Sequence, residues 1–248
     1  MEEKITSLKT YAKVAGFTYL FTFATVIIAN LGIHDRLNVA GNAAETARNI
    51  MANERLFRIG IACDLIYCAG LIVLLMALYV ILKPINRNLA LLAAFCRLVY
   101  ALAWVVMVLN LFTALRLLSG ADYLQVFEAQ RLQALAKLYM GTDFDVYYVG
   151  LLFYGLASTI CSYLLFKSGY IPRALAAFGV ISSAWCTVCT FVFIIFPDFD
   201  KVVNLWWFDS PITLFEVATS LWLLFKGLGP FEVAERNEAS GRAQAGAA

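Results

Sequence analysis

Charge and histidine are what this sequence has least of. Asp, Glu, Lys and Arg together make up 15% of its 248 residues, and His34 is its one histidine. With 62% hydrophobic residues and a mean hydropathy of +0.77, the chain lies far from soluble domains, where about half of the residues are apolar. One histidine disfavours zinc sites built from two or three histidines and bis-histidine haem ligation, so no metal site is expected. Deep positions of the apolar runs lack lysine, which leaves a retinal-type Schiff base without an attachment point. G-x-S-x-G, Walker, H-E-x-x-H and G-x-G-x-x-G patterns are missing too. No catalytic residue is assigned on these grounds, no cofactor is expected, and an enzyme is the less favoured reading. The net charge of +2 is too small to point to nucleic acid.

What is present is apolar length. Several windows exceed the roughly 20 residues needed to cross a hydrocarbon core of about 30 Å, and spans of this kind must be helical to satisfy their backbone groups. Hydropathy and punctuation give six spans, at 12–33, 57–82, 88–118, 146–167, 172–196 and 206–226, with Pro84, Pro172, Pro197, Pro211 and Pro230 at or near their ends. The expected fold is therefore all-α: a polytopic six-helix membrane bundle over residues 1–228, followed by a polar, disordered cytoplasmic tail over 229–248. The first apolar run is longer than a signal-peptide core and lacks an A-x-A site, so it is read as the first span. Lysine and arginine concentrate beside the short connections, which by the positive-inside rule places both termini in the cytoplasm.

The two long connections, 34–56 and 119–145, carry helical patterns of their own. Leu124, Phe127, Leu132, Leu135 and Leu138 fall at helical spacing, as expected of an amphipathic helix on the outer membrane surface. In the first connection Asn42 is placed to cap a polar helix. Three similar motifs, LYVILK (78–83), SYLLFK (162–167) and LWLLFK (221–226), end spans two, four and six. A duplicated hairpin and convergent lysine anchors both account for them.

The lysines that close these motifs give a ruler for depth. Glu216 stands ten residues before Lys226, about 15 Å from that boundary, and Arg97 lies about 13 Å in from the same side. Each charge alone would be costly near mid-depth, by about 2.5–3.5 kcal/mol on insertion scales. Facing each other they would offset that cost, so an Arg97–Glu216 pair is expected. Thr213 and Ser220 share the helical face of Glu216, and Tyr100 and Trp104 that of Arg97. These six residues are the expected ligand or proton site. Asp64 and Asp209, near the opposite boundary and accompanied by Trp206 and Trp207, are the expected acidic outer mouth. An acid as shallow as Asp64 is expected to stay hydrated, and His34, at the end of the first span, is expected to be solvated. Small polar stripes recur at Thr18, Thr22 and Thr25, at Tyr154, Ser158 and Cys161, and at Ser183, Cys186 and Thr190, as at packed helix seams. Cys186 and Cys189 have C-x-x-C spacing but lie mid-helix among apolar residues, where packing accounts for them better than thiol chemistry does.

The order NVAGNAAETARNIMANERLFRIG, LYVILKPINRNLALLAAFCRLVYA and PITLFEVATSLWLLFKG resembles the bacterial membrane-protein family catalogued as domain-of-unknown-function family 4386, over about residues 8–228. The resemblance rests on Thr46, Ala47, Asn49, Ile50, Leu56, Phe57 and Arg58 in the first long loop, on Arg97 and Leu98, and on Glu216, Trp222, Leu223, Leu224, Lys226 and Gly227. It implies a helical bundle in the bacterial inner membrane, surrounded by lipid, and brings no activity, substrate or catalytic residues. The leading expectation is binding or transport of a small or amphipathic molecule, such as a lipid, at the Arg97–Glu216 site. The alternatives are a structural or interaction protein, as a homo-oligomer or partner subunit, in which the pair fixes helix packing, and, third, a membrane thiol oxidoreductase. A cavity joining Glu216 to one surface would favour the first; a dry pair sealed by aromatics would favour the second.

Overall fold

Long runs rich in Leu, Ala, Val, Ile and Phe leave the backbone one economical way to satisfy its polar groups, and the chain takes it as helix. The structure, a computed structural model, describes residues 2–196, 199, 203 and 206–229. Among these the order is α1 (Glu2–Ala29), a π-helical turn (Asn30–His34), α2 (Asp35–Leu37), α3 (Ala43–Ala52), α4 (Glu54–Leu82), α5 (Arg87–Leu118), a 3-10 turn (Asp122–Leu124), α6 (Ala129–Ser168), α7 (Arg173–Ile195) and α8 (Trp206–Phe225). No strand occurs among the described residues. Pro197, Pro230 and almost all of the expected tail lie outside them.

Five helical stretches are long and apolar enough to cross a membrane: Thr6–Leu37, Glu54–Leu82, Arg87–Leu118, Ala129–Ser168 and Arg173–Ile195. α8 corresponds to the expected sixth span but is not among the five. Its 20 residues include Asp209, Pro211 and Glu216. The long connections also differ from expectation. Asn42 does cap α3: its side chain accepts from Glu45 N at 3.0 Å while its amide donates to the Glu45 carboxylate at 3.0 Å. The residues around Leu132, Leu135 and Leu138, expected as a separate amphipathic helix, instead form the start of α6. Its 40 residues are about 60 Å long, roughly twice a hydrocarbon core, so the apolar span and the polar stretch before it share one helix.

The chain divides into two units. The first comprises 1–20, 72–98 and 151–248, and the second 21–71 and 99–150. In the first, Ala12, Ala15, Leu74, Ala77, Ile81, Ala93, Leu164 and Leu223 are among the residues of a continuous apolar core. Gly16 fixes one approach within it. A Cβ there would stand 2.6 Å from the Ser220 carbonyl oxygen and 2.8 Å from Leu224 N, so only glycine lets the α1 and α8 backbones meet. In the second unit Ile33, Leu37, Ile50, Phe57, Ile61, Val108, Leu111 and Leu115 form the core. The loop between α2 and α3 is tied down by Thr46, whose hydroxyl accepts from Val39 N at 3.0 Å, and by Lys137, whose ammonium donates to the Val39 carbonyl at 3.0 Å and to the Asn38 side chain.

Candidate functional site

Within the first unit, Gly16 brings α8 onto α1 one turn from Tyr19 on one helix and from Glu216 on the other. Arg97, from α5, enters the same place. Its guanidinium is 2% exposed, and one nitrogen, Nη2, donates to Tyr19 Oη at 2.9 Å and Ser158 Oγ at 3.0 Å and approaches Glu216 Oε1 at 3.4 Å. Tyr19 is also hydrogen-bonded to Glu216, so its hydroxyl joins the two charges. The Cys161 thiol is a further hydrogen-bond partner of Arg97. The rings of Tyr19 and Tyr154 each lie 5.4 Å from the guanidinium carbon, close enough for cation–π attraction. Four helices, α1, α5, α6 and α8, thus converge on one cation.

The short bonds of Arg97 go to neutral hydroxyls, whereas its one contact with a carboxylate is long and not bidentate. A charge buried in this way is held by summed hydrogen bonds and ring faces more than by one ion pair. Arg97 Nε is buried without a hydrogen-bond partner among the described residues. Ser220, buried on the Glu216 side of α8, donates to the Glu216 carbonyl. Thr213 is half-buried one turn before Glu216, and Thr219 is buried with its hydroxyl unpartnered among the described residues.

Tyr100 and Trp104 belong to the second unit. There Tyr100 Oη lies 3.2 Å from Tyr67 Oη, and the Tyr67 and Trp104 rings pack at 4.6 Å. Arg97 takes its aromatic neighbours from α1 and α6 instead. Tyr154, Ser158 and Cys161 were visible in the sequence as a polar stripe. Tyr19 carries no signal at all, because one tyrosine among the many aromatics of the first span is indistinguishable from packing.

The expected outer-mouth residues fall in different units. Asp209 is half-buried in the first turn of α8, and Trp207 beside it is exposed. Asp64, expected to be hydrated, is 2% exposed, and its Oδ2 meets His34 Nε2 at 2.9 Å. His34, expected to be solvated, ends the π-helical turn with its ring edge-on to Phe57 at 5.6 Å and 80°. Gly60 leaves room for that ring, since a Cβ there would stand 2.7 Å from His34 Cε1. A π-turn rotates the residues after it relative to an unbroken α-helix, and such turns are common at functional positions. Here it accompanies a His34–Asp64 pair that residue spacing does not reveal. Among the described residues, no three His, Cys, Asp or Glu side chains gather closely enough to hold a metal ion.

Five helices able to cross a membrane, with a buried, multiply bonded arginine among the transmembrane segments, define a polytopic helical protein of the membrane class. Residues 14–227 match the family model described as Domain of unknown function (DUF4386), and the chain belongs to that family. No curated protein and no solved structure matches it.

Proposed function

We propose that this is a six-span protein of the bacterial inner membrane, with both termini in the cytoplasm, that acts as a structural or partner-binding membrane subunit. In this reading the Arg97 centre fixes helix packing. The supporting observation is the closure of the cation: Arg97 is 2% exposed, has two tyrosine rings 5.4 Å from its guanidinium carbon, and is bonded to groups on three other helices. A solute pathway past Arg97 would have to break this arrangement. Lipid surrounds the spans, and association as a homo-oligomer or with another membrane protein is where activity would be exercised. Cys186 and Cys189 are free, buried thiols inside α7, a setting that lends no support to thiol exchange.

A second reading, a ligand or proton site built from Arg97, Glu216, Thr213 and Ser220, is favoured by one observation. The Glu216 side chain is 17% exposed against 2% for Arg97, which makes the carboxylate the accessible member. The R97M/E216L double variant separates the two readings. The packing role predicts a protein that is expressed, monodisperse and as heat-stable as the wild type to within a few degrees, because a buried ion pair replaced by apolar groups of similar volume is often neutral. It also predicts an unchanged cell phenotype. A double variant that folds normally but loses the phenotype of the intact gene would overturn the packing role in favour of the ligand site.

A further inference from the structure

In the second unit, away from the Arg97 centre, a cavity of about 520 Å³ opens where α4 begins and α5 ends. That is within the usual 300–1,000 Å³ of ligand pockets. Its apolar lining is Met51 from α3, which is exposed, and Phe112 and Leu115 from α5. Its rim is polar and mostly cationic, made of Arg58, Arg116, Glu54 and Ser119. The one carboxylate of the rim is already engaged, since Glu54 Oε1 accepts from Arg58 Nε at 2.8 Å. Both members of that pair are well exposed, at 55% and 41% of their side chains, so it is a weak bond, and it engages Arg58 through Nε. Arg116 is exposed and has no ion-pair partner among the described residues. The Ser119 hydroxyl donates to the Arg116 carbonyl at 2.7 Å.

We propose that this cavity binds an anionic phospholipid, with the headgroup phosphate between Arg58 and Arg116 and the first carbons of one acyl chain on Met51, Phe112 and Leu115. Two guanidinium groups against one carboxylate leave the rim net positive, and guanidinium forks suit phosphate oxygens. Apolar side chains lining the same cavity as two guanidinium groups match the junction of headgroup and chain, which a free phosphate would leave unused. The cavity takes only that junction, and the rest of the lipid stays in the bilayer. The site is independent of the role of Arg97.

The test uses the full-length protein, purified in detergent, delipidated, and titrated in native mass spectrometry with phosphatidylglycerol, with phosphatidylcholine of the same chains, and with inorganic phosphate. Wild type should retain phosphatidylglycerol at least tenfold more tightly than phosphatidylcholine, and should not retain inorganic phosphate. R58Q/R116Q should bring the two lipids to parity, whereas R58K/R116K should keep part of the preference. M51W, which crowds the apolar lining, should weaken both lipids. Equal retention of the two lipids by the wild type would overturn the assignment, as would a preference that survives R58Q/R116Q. Retention of inorganic phosphate without a lipid preference would make the cavity a free-anion site and equally overturn it.

Discussion

Arg97 Nη2 has two hydrogens and three acceptors around it, so the bonds cannot all be equal. The two to Tyr19 and Ser158 are the shorter, the direct one to Glu216 is longer, and the Tyr19 hydroxyl adds a second link between the two charges. Tyr19 therefore supports the ion pair from both sides. Tyr19→Phe keeps the ring over the guanidinium but removes the bridge, and should cost about 1.5–3 kcal/mol, the range for a hydrogen bond to a charged group. Ser158→Ala should cost less, because Tyr19 and Glu216 remain. Thermal unfolding followed by size-exclusion chromatography would rank the two, and a Tyr19→Phe variant as stable as wild type would show that the remaining partners hold Arg97 without the Tyr19 hydroxyl. The charged members of this centre were legible in the sequence because depth could be measured from Lys226. Their neutral partners were not, because hydroxyls and tyrosine rings in an apolar helix serve packing as readily as they serve a cation. Arg97 reaches toward α1 and α6, and no periodicity along α5 encodes that direction.

At the scale of the element, the end of α1 is the most specified piece of helix in the second unit. The π-turn at Asn30–His34 precedes the short α2, and the resulting placement of His34 against Asp64 requires a bare backbone at Gly60. In Gly60→Ala the new methyl would stand 2.7 Å from His34 Cε1 and 3.1 Å from the Nε2 that meets Asp64, so the ring must shift against that contact. The substitution should cost about 1–3 kcal/mol, as overpacking of a filled site does. Asp64→Ala should cost a similar amount by leaving a buried ring nitrogen unpaired. Because both act through the same contact, Gly60→Ala in an Asp64→Ala background should be nearly silent. Full additivity in the double-mutant cycle would show that the glycine serves helix packing and not the His34 pair. The sequence ended this span at residue 33, whereas the helical stretch runs on to Leu37, and it gave Asp64 and His34 to solvent, since a depth ruler reports distance along a helix and says nothing of the face. The start of α6 was misjudged for a related reason: its amphipathic stretch and its apolar stretch were read as two elements because their patterns differ, while the backbone between Ala129 and Ser168 is one helix.

For the molecule as a whole, the number of crossings decides what the termini can do, and it turns on α8. Five helices meet the demands of a crossing on length and apolarity, and an odd number would put the two ends of the chain on opposite sides. α8 has 20 residues, which at 1.5 Å each is about 30 Å and just equal to a hydrocarbon core. It carries a polar face. That face is largely turned inward: Thr219 and Ser220 are buried, and Glu216 lies against Arg97 and Tyr19. Leu214, Leu221 and Phe225 are exposed, as a lipid-facing surface requires. A helix whose polar groups are satisfied by its neighbours can cross with less overall apolarity than one facing lipid on all sides. α8 should therefore be the sixth crossing. Reporters fused at the N-terminus and after residue 229 should both report the cytoplasm, with green fluorescent protein bright and alkaline phosphatase inactive at each. An active phosphatase after residue 229 beside a cytoplasmic N-terminus would reduce the count to five and leave α8 lying at the surface.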